Sequence, residues 1–268
     1  MTIIFGPGGL GGVKEAVKNL EEYSKMGIKA CEIEFTYGVY IKEHQAEEIR
    51  KTAEKLGIRL SIHGHYWINL NSDDEKKVEQ SKKRILECCK IGHLLGARNI
   101  VFHPGFYGKK SKEETYQVIK KAILELQEEI KKNKWNVTLC PETTGKVNVF
   151  GSVDEILRLV KETHCSFTLD FAHLLARSNG KMSYEEMLKL FENAKEIKEL
   201  KEIHCHFSGI VYGDKGEKHH ILTPKAELVK LLNVLKKSKI NFIIINESPD
   251  PVKDSEMSVK IWDGIRGK

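Results

Sequence analysis

The chain has 268 residues, 40% hydrophobic and 31% charged, with 44 basic against 38 acidic side chains for a net charge of +6 and a pI near 8.8. That composition belongs to an ordered globular protein and excludes disordered, collagen-like and disulfide-stapled chains. No apolar run approaches the ~20 residues of a membrane-spanning helix. Part of the basic surplus lies in lysine pairs on helical patterns (Lys82-Lys83, Lys131-Lys132, Lys236-Lys237). A solvated face accounts for these, so the charge permits a polyanionic partner without specifying one.

Met1-Thr-Ile-Ile-Phe-Gly6 lacks the basic-then-apolar order of an export signal and reads as a first strand. Strand patterns follow at 28–34, 58–63, 98–103, 136–142, 166–170, 201–206 and 240–247, and helical patterns fill 12–26, 43–56, 73–95, 111–133, 153–163, 184–198, 224–238 and 252–265. Ser72…Glu75, Ser111…Glu114, Ser152…Glu155 and Ser183…Glu186 have capping-box spacing. Thr223-Pro224 has the form of a cap followed by a first-turn proline. Gly27, Gly57 and Gly96 stop the first three helices. Strand and helix alternate eight times with no linker. The expected fold is a single-domain α/β protein, a (β/α)8 TIM barrel over 1–268, with its site at the C-terminal face of the strands. Cys31, Cys88, Cys89, Cys140, Cys165 and Cys205 are scattered, with no C-x-x-C pair, as buried thiols of a reduced, cytoplasmic protein would be. Neither a membrane nor a second copy of the chain is expected as a partner.

Six strand patterns end in or beside a metal-type side chain: His63, His103, Glu142, Asp170, His206 and Glu247. In a barrel all strand C-termini open onto one face, so these residues converge. Asp170-Phe-Ala-His173 adds a ligand type just past a strand, and Glu217-Lys-His219 places two on one side of an extended loop. A lone histidine at a strand end is usually a hydrogen-bonded structural residue. Carboxylates at a barrel mouth need compensation for lost hydration, and bound cations supply it. Imidazole and carboxylate ligands without cysteine suit a Lewis-acid metal with exchangeable positions. His44 and His164 read as surface, His93 as structural, and His204 as support for His206. His65 and His220 flank the set, and strand alternation turns His220 away from His219.

These motifs resemble the endonuclease IV family of metal-dependent apurinic/apyrimidinic endonucleases, within the xylose-isomerase-like barrels. The resemblance runs from about residue 60 onward. It rests on His63-Gly-His-Tyr-Trp-Ile-Asn-Leu70, Phe102-His-Pro-Gly105, Pro141-Glu-Thr-Thr-Gly145, Leu169-Asp-Phe-Ala-His173, His206, Lys218-His-His220 and Glu247-Ser-Pro249. It implies up to three Zn2+ ions, with Mn2+ an option at one or more sites. His63, His103 and Glu142 would hold one. Glu142 would bridge to a second, also held by Asp170, His206 and Glu247. His173, Glu217 and His219 would hold the third. It further implies metal-assisted hydrolysis of DNA 5′ to abasic sites, with Glu142 and Glu247 catalytic and Tyr66 a contact to the substrate.

Three features depart from the family pattern. Phe5-Gly-Pro-Gly-Gly9 stands where the family has Gly-x-His-x-Ser. Phe35-Thr-Tyr-Gly-Val-Tyr-Ile41 replaces a loop rich in Asn, Arg and Gln, leaving Tyr37 or Tyr40 to stack on sugar or base there, with Tyr37 taken as the candidate contact. Glu217 replaces an Asp. The rival reading is a single-metal sugar isomerase or epimerase of the same superfamily, using Glu142, Asp170, His206 and Glu247 with the two Glu as acid and base. That enzyme has no need of His63, His103 or the Glu217 loop as ligands. A binding protein that has lost catalysis is a third reading, and the complete ligand set speaks against it.

Overall fold

In a computed structural model of the chain, residues 1–194 and 200–267 are described. The barrel strands are β1 (Ile3–Pro7), β2 (Ala30–Glu34), β3 (Arg59–His63), β4 (Asn99–Phe102), β5 (Thr138–Pro141), β6 (Thr168–Asp170), β7 (Glu202–Phe207) and β10 (Asn241–Asn246); β8 (Gly209–Gly213) and β9 (Gly216–Ile221) form an antiparallel hairpin between the last two. Parallel ladders run β2-β3-β4-β5 and β1-β10-β7-β6. Parallel bridges Gly8–Glu32 and Glu142–Thr168 join the two ladders into one closed barrel. The expected fold is thus the observed one.

The helices lie outside: α1 (Ala16–Lys25), α2 (Glu43–Leu56), α3 (Glu75–Leu95), α4 (Lys112–Lys132), α5 (Val153–Thr163), α6 (Phe171–Arg177), α7 (Tyr184–Glu192), α8 (Lys225–Leu235) and α9 (Pro251–Arg266). Capping boxes form at Ser111, Ser152 and Ser183. Ser72 does not cap α3. Asp74 does, accepting from the Lys76 N–H, while Ser72 accepts from the Asp74 N–H. Pro224 is itself the cap of α8, because Thr223 is turned inward: its N–H donates to Asp254 and its hydroxyl accepts from Asn246. The end of the helix expected at 184–198 lies outside the described residues. No described helix is long and apolar enough to cross a membrane.

Most of the hydrophobic core lies between strands and helices. Among the described residues a small apolar cluster, Ile4 with Ala30, Ile243 and Ile245, lies apart from it inside the barrel. Buried polar side chains share that interior. Glu32, Ser61, Thr168 and His204 form one buried level, with Glu32 in register with Ser61 and Thr168 with His204. His63, Asp170 and His206 stand two residues further along their strands, at the mouth.

Candidate metal centre

Glu142, fully buried just past β5, is the hub. Its Oε2 lies 3.3 Å from His63 Nε2 and 2.9 Å from His103 Nε2, and its Oε1 lies 3.1 Å from His173 Nδ1 and 3.2 Å from His206 Nδ1. His206 Nδ1 is also 3.2 Å from Glu247 Oε1. Asp170 ends β6 and caps α6: its Oδ1 accepts the His173 backbone N–H at 2.6 Å, leaving Oδ2 free at the centre, 3.3 Å from His173 Nδ1. Local contacts orient the rings. His63 Nδ1 pairs with the Gly64 carbonyl at 3.0 Å, which turns Nε2 toward Glu142. His173 Nδ1 pairs with the Thr143 carbonyl at 3.0 Å, which leaves Nε2 facing Glu217 at 3.6 Å.

Among the described residues five sets of ligand atoms each gather within 4.8 Å, and three of them bear on the expected centre: His63, His103 and Glu142; Glu142, Asp170, His206 and Glu247; and His173, Glu217 and His220. The last set corrects the expectation for His219. The β8–β9 register shifts between Val211 and Tyr212, where Tyr212 pairs with Glu217 but Val211 pairs with His219, so Lys218 is an extra residue in the strand. Such a bulge inverts the alternation beyond it. His220 therefore shares the inner side with Glu217, its Nε2 4.0 Å from Glu217 Oε1, and its Nδ1 is 2.6 Å from the Ser208 hydroxyl. His219 is exposed.

Two glycines let the loops reach the centre. A Cβ on Gly145 would stand 2.7 Å from Glu217 Cβ and 3.0 Å from His173 Cδ2, so only glycine admits the hairpin here. The Gly145 carbonyl then accepts the Glu217 N–H at 3.1 Å. Gly105, with φ of +143°, brings the His103 loop against Asn69, whose Oδ1 would lie 2.4 Å from an added Cβ. Both motifs, Glu-Thr-Thr-Gly and His-Pro-Gly, are in this sense loop-docking devices as well as ligand carriers.

Tyr66 and Phe106 line a cavity of about 110 Å³ with His63, His103, Lys146 and Glu217. Tyr66 is 70% exposed. Tyr37, 84% exposed, borders a different recess with His65, Trp67 and Arg84, away from the ligand cluster. His93 Nδ1 accepts the Asn136 N–H and is structural, as expected.

Electrostatics couple the set. Burial would raise Glu142 and Glu247. The imidazoles outweigh it: His206 and His103 hold Glu142 well below the usual carboxylate range, and His206 brings Glu247 down to about 2. Burial pushes Asp170 up to about 6 and Glu34 up to about 8. Burial would lower His63, but Glu34 and Glu142 raise it to about 10. His173 and His206 likewise lie well above the ordinary histidine value, against their burial, because of Asp170 and Glu142 and of Glu247 and Glu32. The imidazolium charges balance the carboxylates. Even so, Glu142 Oε1, Asp170 Oδ2 and His206 Nδ1 are buried without a hydrogen-bond partner. Orphaned oxygen and nitrogen atoms turned toward one point suit divalent cations, which would take over the role of the bound protons.

Sequence reasoning missed Glu32 and Glu34. Glu34 lies beside His63 and groups with Glu32 and Glu247. The signal was available: a parallel strand buried on both faces reads as an apolar run, yet Cys31-Glu-Ile-Glu34 alternates acids into it.

A family model described as xylose isomerase-like TIM barrel matches residues 20–263. An uncharacterized protein of Methanocaldococcus jannaschii is 36% identical over 99% of this chain and 98% of its own length. An apurinic-apyrimidinic endonuclease of Caenorhabditis elegans is 28% identical over 82% of this chain, which spans 57% of that longer protein. Among solved structures, endonuclease IV of Thermus thermophilus superposes with a TM-score of 0.74 at 18% identity, covering 99% of this chain and 100% of that one. A D-tagatose 3-epimerase-like protein gives 0.72 at 18% identity, over 98% of each chain. At such identities the two superpositions establish the fold alone. The match over most of its length makes this chain a member of the xylose isomerase-like TIM barrel family.

Proposed function

We propose that the protein is a metal-dependent phosphodiester hydrolase of endonuclease IV type that incises DNA 5′ to abasic sites. The observation that carries this reading is that ligand groups exist beyond one four-residue set: His63 and His103 share Glu142 with that set, and His173, Glu217 and His220 form another beside it. A single-metal enzyme needs only Glu142, Asp170, His206 and Glu247. Divalent cations held at such a centre supply Lewis acidity, an activated water and neutralisation of phosphate charge. The remaining work falls to the chain. Glu142, with one oxygen toward each of two groups, joins them. Glu247, partly exposed at the mouth, would orient an attacking water. Tyr66 and Lys146, on the cavity wall, would meet an unstacked sugar and its phosphate. An apurinic-apyrimidinic endonuclease is also what the Caenorhabditis elegans relative is named.

A second reading, a sugar epimerase, draws on the pair Glu142 and Glu247 around one metal position and on the extra carboxyl of Glu34 beside Glu247, a hydrogen-bond partner suited to a sugar hydroxyl. One experiment separates the two. Zinc-loaded protein is incubated with a duplex carrying one abasic site and, in parallel, with free ketoses. Chelator-sensitive incision on the 5′ side supports the hydrolase; epimerised sugar with intact duplex overturns it.

A further inference from the structure

Below the ligand level, Glu32 on β2 reaches across the barrel to β7. Its Oε1 lies 2.8 Å from His206 Nε2, and its Oε2 is 2.8 Å from His204 Nε2 and accepts the Ser61 hydroxyl at 2.6 Å. All four side chains are buried. Glu32 has no part in the hydrolysis proposed above. We propose that Glu32 is the positioning residue of the centre: it fixes the tautomer and plane of His206, so that this ring offers Nδ1, and only Nδ1, to a cation. The inference rests on reading the mouth of the barrel as a metal centre.

A neutral imidazole has one N–H and one lone pair. An ionised carboxylate only accepts, so a carboxylate at Nε2 assigns the proton to Nε2. The lone pair is then left on Nδ1, which faces Glu142 and Glu247 at 3.2 Å each. Carboxylate partners of this kind hold ligand rings in place and raise their basicity. Glu32 suits the task because it cannot move. The Ser61 and His204 donors anchor one oxygen from two different strands and offset the cost of burying the charge. The same three groups, Glu32, His204 and His206, lie close enough to be considered for a cation of their own. The hydrogen bonds argue otherwise. Glu32 Oε2 and His204 Nε2 are already paired with each other at 2.8 Å, and that oxygen also accepts the Ser61 hydroxyl, so of this set Glu32 Oε1 and His206 Nε2 remain, 2.8 Å apart and facing each other.

The test is zinc binding, measured by competition with a chromophoric chelator at fixed pH, on the wild-type chain and on Glu32→Gln. Removal of such a partner costs about 10–100-fold in metal affinity. The expected result is a loss of that size at one zinc while the others keep wild-type affinity, and a much smaller loss in Ser61→Ala, which leaves the Glu32–His206 contact intact. A Glu32→Gln chain that binds every zinc as tightly as wild type overturns the proposal. A wild-type chain that binds no zinc overturns the metal-centre reading beneath it, and the proposal with it. Should Glu32→Gln fail to fold, nitrogen NMR of the imidazoles in the zinc-loaded wild type decides. His206 protonated at Nε2 and bound through Nδ1 is the predicted form, and binding through Nε2 overturns it.

Discussion

His220→Ala and His219→Ala set the bulge in β9 against plain strand alternation. His220 faces Glu217 and His173, and His219 faces solvent. Losing an outer partner of a ligand costs about 10–100-fold in metal affinity, so losing one of three direct ligands should reach at least the upper end, about 100-fold or roughly 2.7 kcal/mol. The fold should hardly notice. The hydrogen-bond partner lost with the His220 ring is Ser208, whose hydroxyl still donates to the Gly209 carbonyl, so the stability cost should stay near ~1 kcal/mol. His219→Ala should change zinc affinity by less than about 2-fold, as surface substitutions away from special features do. The assay counts zinc per chain after desalting and measures affinity by chelator competition, with melting temperature as the control for folding. If His219→Ala sheds one zinc and His220→Ala keeps all of them, the register of the hairpin assigned here is wrong.

Further outcomes follow from the same geometry. Glu142→Gln should lose zinc from two groups at once and abolish hydrolysis, as read by metal count and duplex incision, because each of its oxygens serves a different group. In the metal-free chain, His63 raised to about 10, Glu34 to about 8 and Asp170 to about 6 all bind protons more tightly folded than unfolded. Their stabilisation is present at low pH and is lost as pH rises through those values. Glu247, lowered to about 2, loses its contribution only as pH falls below about 4.5. Chelated protein should therefore melt at a higher temperature at pH 6 than at pH 9, and added zinc should reverse that order, since cations displace the protons. A melting temperature of the chelated protein that rises from pH 6 to pH 9 would show that the imidazolium–carboxylate balance is not what holds the empty centre together. Tyr66→Ala should weaken binding of an abasic duplex by about 10–100-fold, the range for one stacked base, with zinc content unchanged. Unaltered binding in a direct titration would remove Tyr66 from the substrate surface.

The barrel was legible because short strand patterns alternate with helical ones along the whole chain and three helices open with a Ser-x-x-Glu box. The ligands at the mouth were legible for a related reason, since strand ends converge whatever their separation in sequence. What escaped has local causes. α6 begins directly at Asp170, which ends a strand, caps the helix and faces the centre, leaving no spacing to mark a boundary. The β8–β9 hairpin is short, glycine-bounded and bulged, and one inserted residue, Lys218, exchanges the roles of His219 and His220. Glu32 was hidden in mid-strand, where its function depends on β3 and β7 rather than on its neighbours in sequence. Tyr37 follows a strand as Tyr66 does, but its loop opens onto a separate recess.

One cluster of side chains is expected to hold several cations through a shared Glu142. Anomalous diffraction at the zinc edge, from crystals of the zinc-loaded protein, answers that without reference to any substrate. Three peaks are expected: one between His63, His103 and Glu142, one between Glu142, Asp170, His206 and Glu247, and one between His173, Glu217 and His220. A single peak within the second set, with the other histidines free, would contradict the shared centre and return the chain to the single-metal enzymes of its family.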